Sequence, residues 1–181
     1  MKWFFEPGHS AAEFRARHMM VTWVRGSFKN IHGHLEFDPE RPTELAVETS
    51  IDAKTFWTGV SMRDDNLRSS DFLHCERYPT IHFKSTGAKL VGPFDYLVDG
   101  DLTIKGTTRP VTLNVRYLGS WETPWWEDNV DKGPKLRAGF VACTRIDRFD
   151  FGVNWNSDIP NGGVVVSPEV DIVLDVEAIR E

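Results

Sequence analysis

Three stretches of this sequence hold residue types that do chemistry. The densest is TGVSMRDDNLRSSDFLHCERYP, Thr58 to Pro79, which crowds together Arg63, Asp64, Asp65, Arg68 and Asp71. Two carboxylates beside arginines are the parts of a general acid/base pair with a cationic clamp. Adjacent Asp64 and Asp65, however, point about 100° apart on a helix, and Arg68 falls four residues after Asp64, the spacing of a helical ion pair. Ser61 is placed to cap a short helix over Met62 to Leu67, with Asp64 in its first turn, and Ser69 or Ser70 is placed to cap a turn beginning at Asp71. The spacing predicts capping and ion pairing here rather than catalysis.

The second stretch is His32-x-His34-x-Glu36. Strand alternation puts all three side chains on one face, as metal ligation from a strand requires, with His9, His18 or His82 as sources of a further ligand. The competing reading is a solvated face opposite Ile31, Leu35 and Phe37. The third is His74-Cys75, a base beside a nucleophile, but adjacent side chains in a helical turn diverge and no Asn or Asp is placed to orient the histidine. The chain has no G-x-S-x-G, H-E-x-x-H, G-x-G-x-x-G or P-loop pattern.

Period-two alternation broken by turn residues dominates the rest of the chain, the pattern of strands with one buried face. In AEFRARHM, Ala12, Phe14, Ala16 and His18 share one side and Glu13, Arg15 and Arg17 the other. Similar runs are TELAVETSID, TIHFKSTGAKL, DYLVDGDLTI, RPVTLNVRYLG, KLRAGFVACTRI and EVDIVLDVEAI. Gly87, Gly100, Gly106, Gly119 and Asn161-Gly162-Gly163 are spaced as turns between them. The pattern predicts an all-β barrel or sandwich, a barrel preferred because it leaves no long edges, with a helical interruption near residues 60–75. Trp121, Trp125 and Trp126 fall in a Pro- and Gly-bearing segment read as a loop, either a lid over a cavity mouth or packing across a barrel end. Glu122, Glu127, Asp128 and Asp131 around them oppose membrane insertion.

Composition narrows the function classes. With 181 residues, 40% hydrophobic and a net charge of −6, the chain suits one domain over 1–181 and lacks the basic, aromatic-interleaved patches of a nucleic-acid groove. MKWFFEPGHS has no signal-peptide core, so the chain as written is expected in the cytoplasm, or in the periplasm if it is a trimmed mature form. Cys75 and Cys143 form no CxxC and suggest neither a zinc site nor a disulfide framework.

Taken in order, the motifs resemble the YceI-like family of lipid-binding proteins. The pieces that carry the resemblance are HSAAEFRARHM, VRGSF through GHLEFD, RDDNLRSSDFL with YPTIHFKST, GDLTIKGTTRPVTL, AGFVACTRIDRFDFGV and EVDIVLDVEA, nearly the whole chain. The resemblance implies an extended, lipocalin-like antiparallel barrel of about eight strands. It implies an apolar tunnel for a polyisoprenoid chain such as a quinone tail or prenyl lipid, no catalytic residues, no cofactor and, by analogy, a homodimer. The residues expected to line the tunnel are Phe14, Ala16, His18, Ile31, Leu35, Phe37, Phe83, Leu102, Ile104, Phe140 and Phe151, for each of which ordinary core packing is the competing reading. Phe56, Trp57, Met62, Leu67 and Phe72 are expected to close one end beneath the helical segment. The sequence departs from the family's pattern at Phe56-Trp57, where bulky residues shorten the expected cavity, and in the tryptophan-rich segment.

Overall fold

A computed structural model describes residues 1–181 and shows an antiparallel sheet wrapped into a barrel. The strands are β1 (Lys2–Phe5), β2 (Ala11–His18), β3 (Thr22–Lys29), β4 (His32–Glu36), β5 (Ala46–Asp52), β6 (Thr80–Leu90), β7 (Asp95–Ile104), β8 (Thr107–Glu127), β9 (Val130–Asp147), β10 (Asp158–Ile159), β11 (Gly163–Val164) and β12 (Val166–Arg180), with helix α1 at Ser61–Arg68. Neighbours run β1-β4-β5-β6-β7-β8-β9-β12, and a β1–β12 pairing closes this ring of eight. The short β10–β11 ladder stands apart.

The closure is uneven. Near its C-terminus β12 pairs with β1, and further back, from Val166 to Asp175, it pairs with β2, which carries β3 on its other edge. β3 does not continue into β5: Asn30 adopts a left-handed φ of 57° and breaks the line between β3 and β4. The gap is filled by the segment after β5, which touches β3 through a bridge between Ser27 and Trp57.

The turns correct several sequence expectations. Gly106 does make a turn, with Lys105, both at positive φ, but Gly87, Gly100 and Gly119 lie inside β6, β7 and β8. Gly100 is required for packing: a Cβ there would lie 2.4 Å from Cζ of Phe83, whose ring crosses β7 at that point. Gly26 likewise makes room for the Phe14 ring. The tryptophan-rich segment is not a loop. β8 and β9 run on as one long hairpin turned at Asp128 and Asn129, with φ of 50° and 61°, the geometry of a two-residue type I′ turn. Trp125 is flanked by the cations of Lys135 and Arg137, while Trp121 and Trp126 project into solvent, neither covering a mouth nor packing across the barrel end.

On the outer face, the Asp171 carboxylate sits between Arg145 (Nε–Oδ1 2.6 Å) and Arg15 (Nε–Oδ2 2.9 Å), linking β9, β12 and β2. Hydrogen bonding from Arg145, reinforced by Arg15, outweighs burial and holds the carboxyl below its usual value of 3.8. A folded-state value below the unfolded one stabilises the fold above pH 3.8, and that contribution disappears as pH falls through the folded value. Asp171→Asn is therefore expected to be less stable than the parent at neutral pH, with the gap closing as urea melts are repeated at pH values descending below 3.8. A gap that stays constant with pH would contradict the assignment.

Candidate functional site

The inward face of the barrel divides into two halves of different character. In one, Trp3, Leu35, Phe37, Tyr96, Val98, Ala138, Phe140 and Ala178 are buried against one another. The Phe37 ring lies 4.8 Å from that of Tyr117, 5.1 Å from Phe140 and 6.0 Å from Tyr96, and the Trp3 indole donates to the Phe37 carbonyl at 3.0 Å. This half is solid. In the other half the same strands leave a cavity of about 210 Å³.

Alternation along each strand builds the cavity wall. Ala12, Phe14 and Ala16 come from β2, Ile81 and Phe83 from β6, Leu102 and Ile104 from β7, Val111 and Leu113 from β8, Thr144 and Ile146 from β9, and Val170, Ile172 and Leu174 from β12. Phe56, Leu67, Phe72 and Leu73 of the helical segment add a further side, and Phe151 and Val153 another. Of the 26 lining residues 22 are hydrophobic, so the polar four decide whether the space is wet. Glu13 is exposed on the outside of the barrel. Thr49 donates its hydroxyl to the His32 carbonyl at 2.8 Å and Thr144 to the Thr112 carbonyl at 2.9 Å. Arg148 turns its guanidinium away onto four carbonyls, those of Val153, Trp155, Val166 and Ser167, at 2.6–3.0 Å. A buried water needs two to four polar partners and about 10–15 Å³, so this cavity has volume for many waters and partners for almost none.

Two segments meet over the end of the cavity away from the solid half. The Phe72 ring packs at a tilt against Trp155, centroids 5.5 Å apart, and Lys105 donates from Nζ to the carbonyls of both Ser70 and Gly152 at 3.2 Å. The charges of the helical segment hold it in place. Asp64, buried in α1, accepts from the Thr58 amide at 3.0 Å and from its hydroxyl, while Arg63 donates to the Thr58 hydroxyl and carbonyl at 2.8 Å. Arg68 pairs with Asp65 rather than Asp64 and donates to the carbonyls of Lys54 and Phe56. Ser61 does not cap α1, because it is the first helical residue and Val60 occupies the cap. Ser69 accepts from the Asp71 amide as a cap would.

Against this geometry the expected tunnel residues separate. Phe14, Ala16, Phe56, Leu67, Phe72, Phe83, Leu102, Ile104 and Phe151 line the cavity. Leu35, Phe37 and Phe140 belong to the solid half, and Ile31 to a small core with Phe28 and Ile51. His18 lies outside the lining at the end of β2. Trp57 and Met62 are corrections of another kind. Met62 is 81% exposed because it sits on the outer side of α1, and Trp57 is 66% exposed because its bridge to Ser27 turns the indole outward. Sequence reasoning missed Arg148, the wall residues of β8 and β12, and Ile81 and Ile146.

The three chemical candidates also resolve. His32, His34 and Glu36 are exposed on β4, and the structure gathers no group of three His, Cys, Asp or Glu side chains that could hold a metal ion. His82 is engaged by Glu48 at 3.1 Å. Cys75 is buried with Sγ 3.4 Å from the Ala53 carbonyl, and burial pushes its thiol up, away from the reactive thiolate. His74 packs on Tyr78.

Comparison with known proteins gives a consistent result. The YceI-like domain profile matches residues 3–178. Protein YceI of Escherichia coli O17:K52:H18 is 36% identical over 176 residues, 97% of this chain and 84% of the relative. Among solved structures, BcnA of Burkholderia cenocepacia superposes with a TM-score of 0.80 at 23% identity, covering 96% of this chain and 98% of its own. A polyisoprenoid binding domain from Saccharophagus degradans, implicated in plant cell wall breakdown, superposes at 0.64 with 13% identity, covering 99% and 98%.

Proposed function

The chain belongs to the YceI-like family, and on that premise we propose that it is a non-enzymatic carrier of an isoprenoid lipid, a prenyl chain or the tail of an isoprenoid quinone. The observation that carries this reading is the wall of the cavity, apolar throughout and with every polar side chain either satisfied by backbone or turned outward. Such a site recognises hydrocarbon and offers nothing to a head group. The polyisoprenoid binding named for the Saccharophagus neighbour supports the choice of chain.

Energetics agree with a chain ligand. Each buried CH₂ contributes about 0.8 kcal/mol, so a five-carbon isoprene unit contributes up to roughly 4 kcal/mol before ordering costs. The test is extraction of protein purified from its native source and mass spectrometry of the organic phase, followed by titration of delipidated protein with prenyl alcohols and a prenyl quinone. A single-chain isoprenoid bound one to one is expected. Protein that is free of lipid and ignores every prenyl compound would end the proposal.

The Phe72–Trp155 contact and the Lys105 latch close the end through which the chain passes in this reading. Lys105→Met removes both latch hydrogen bonds, a loss of about 1 kcal/mol at a partly exposed site. Ligand release, followed by stopped-flow transfer to vesicles, is expected to quicken roughly fivefold. An unchanged release rate would place the exit elsewhere.

A further inference from the structure

Resting on the lipid-carrier reading, we infer that the aromatic cluster of Phe37, Tyr96, Tyr117 and Phe140 is a chain-length stop and that the ligand is a short prenyl chain rather than a long polyprenyl one. The inference comes from where the lining ends on each strand. On β7, Ile104 and Leu102 face the cavity, the next inward residue is Gly100 beneath the Phe83 ring, and Val98 and Tyr96 beyond it are buried in the cluster. On β9, Ile146 and Thr144 face the cavity and Phe140 is buried. On β8, Val111 and Leu113 line it, and Tyr117 packs on Phe37 and Phe140 with centroids 4.8 and 5.4 Å away.

β8 and β9 thus switch from lining to packing at neighbouring positions, after Leu113 and Thr144, and β7 switches earlier, since Val98, paired with Leu113, is already packed in the cluster. The stop is rigid. Phe37 is 1% exposed and touches three rings, and its backbone carbonyl is fixed by the Trp3 indole across the barrel wall. Phe83, held over Gly100, marks the floor on the cavity side. A chain entering past Phe72 and Trp155 runs out of space at this floor.

The consequence is a break in the dependence of affinity on length. Each CH₂ that enters an apolar site raises affinity roughly fourfold, and each that stays in water adds nothing. Delipidated protein titrated with geraniol, farnesol, geranylgeraniol and solanesol by native mass spectrometry is expected to bind more tightly along the short members and then level off, with solanesol gaining less than about twofold over the best short chain by the same rule.

Phe140→Ala opens the floor and is expected to restore the gain for solanesol by about tenfold or more on that scale. Tyr117→Leu, a milder cut in the same cluster, guards against failure of the first variant to fold and is expected to shift the break in the same direction. Parent protein that binds solanesol with the full increment overturns the stop while leaving the carrier reading intact. A break that neither folded variant moves also overturns it. Parent protein that binds no prenol at all overturns the carrier reading instead.

Discussion

Ala16→Phe will lower prenyl affinity about a thousandfold while raising the melting temperature of the lipid-free protein. Ala16 faces the cavity from β2, opposite no polar group, and its methyl leaves the space beside Val170 open. A phenyl ring placed there occupies room for about one isoprene unit, and forfeiting roughly 4 kcal/mol of chain burial is about three decades in the dissociation constant. Filling an apolar cavity without introducing a polar atom typically adds about 0.5–2 kcal/mol to stability. The opposed signs are what make the experiment decisive, because a variant that loses ligand by misfolding loses stability as well. Calorimetry of the delipidated proteins and prenol titration of the same samples supply both numbers. Retained affinity in a stabilised variant would show that the chain binds somewhere other than this cavity.

The barrel was legible because its strands alternate without ambiguity: Ala12, Phe14 and Ala16 point in and Glu13 and Arg17 point out, as period two requires. Which inward residues line a cavity and which fill the core was not legible, because both sets are apolar and alternate identically. Phe14 and Phe37 have the same residue type and both point inward, and only their surroundings decide between them: Phe37 is enclosed by Tyr96, Tyr117 and Phe140, whereas Phe14, packed beside Phe28 and Phe56 over Gly26, keeps a face on the cavity. Asp128-Asn129 hides the long hairpin for a local reason, since both residues also begin loops, and Pro124 and Pro134 argue against strands unless they are seen facing each other across the ladder. Met62 and Leu67 show the limit of the helical reading. Eight residues make barely two turns, so the face that α1 buries is set by its anchors at Thr58, Lys54 and Phe56 rather than by an apolar stripe.

Arg148 escaped notice because it follows Arg145 and Asp147 in a run that reads as a solvated strand edge, but the chain leaves β9 there and turns inward. It is 5% exposed, no carboxylate is within ion-pair reach, and burial pulls its guanidinium below the usual value. Its donors hold the carbonyls of Val153, Trp155, Val166 and Ser167, which tie the segment between β9 and β12 down over the cavity. Arg148→Met keeps the apolar stem against the wall and removes every one of those donors. Carbonyls left without partners cost about 1–3 kcal/mol each where water cannot reach them, and the segment relieves part of that by lifting into solvent, so a net loss of about 4 kcal/mol is expected. For a chain of this size that is a fall in melting temperature of roughly 8–16 °C. Local opening precedes global unfolding, so amide exchange is expected to quicken first at Val153 and Val166, whose amides bond Arg148's own carbonyl and the Asn156 side chain. A variant that melts within about 2 °C of the parent, below what the loss of a single such hydrogen bond predicts, and keeps its protection at those amides would show that the segment is held without the arginine.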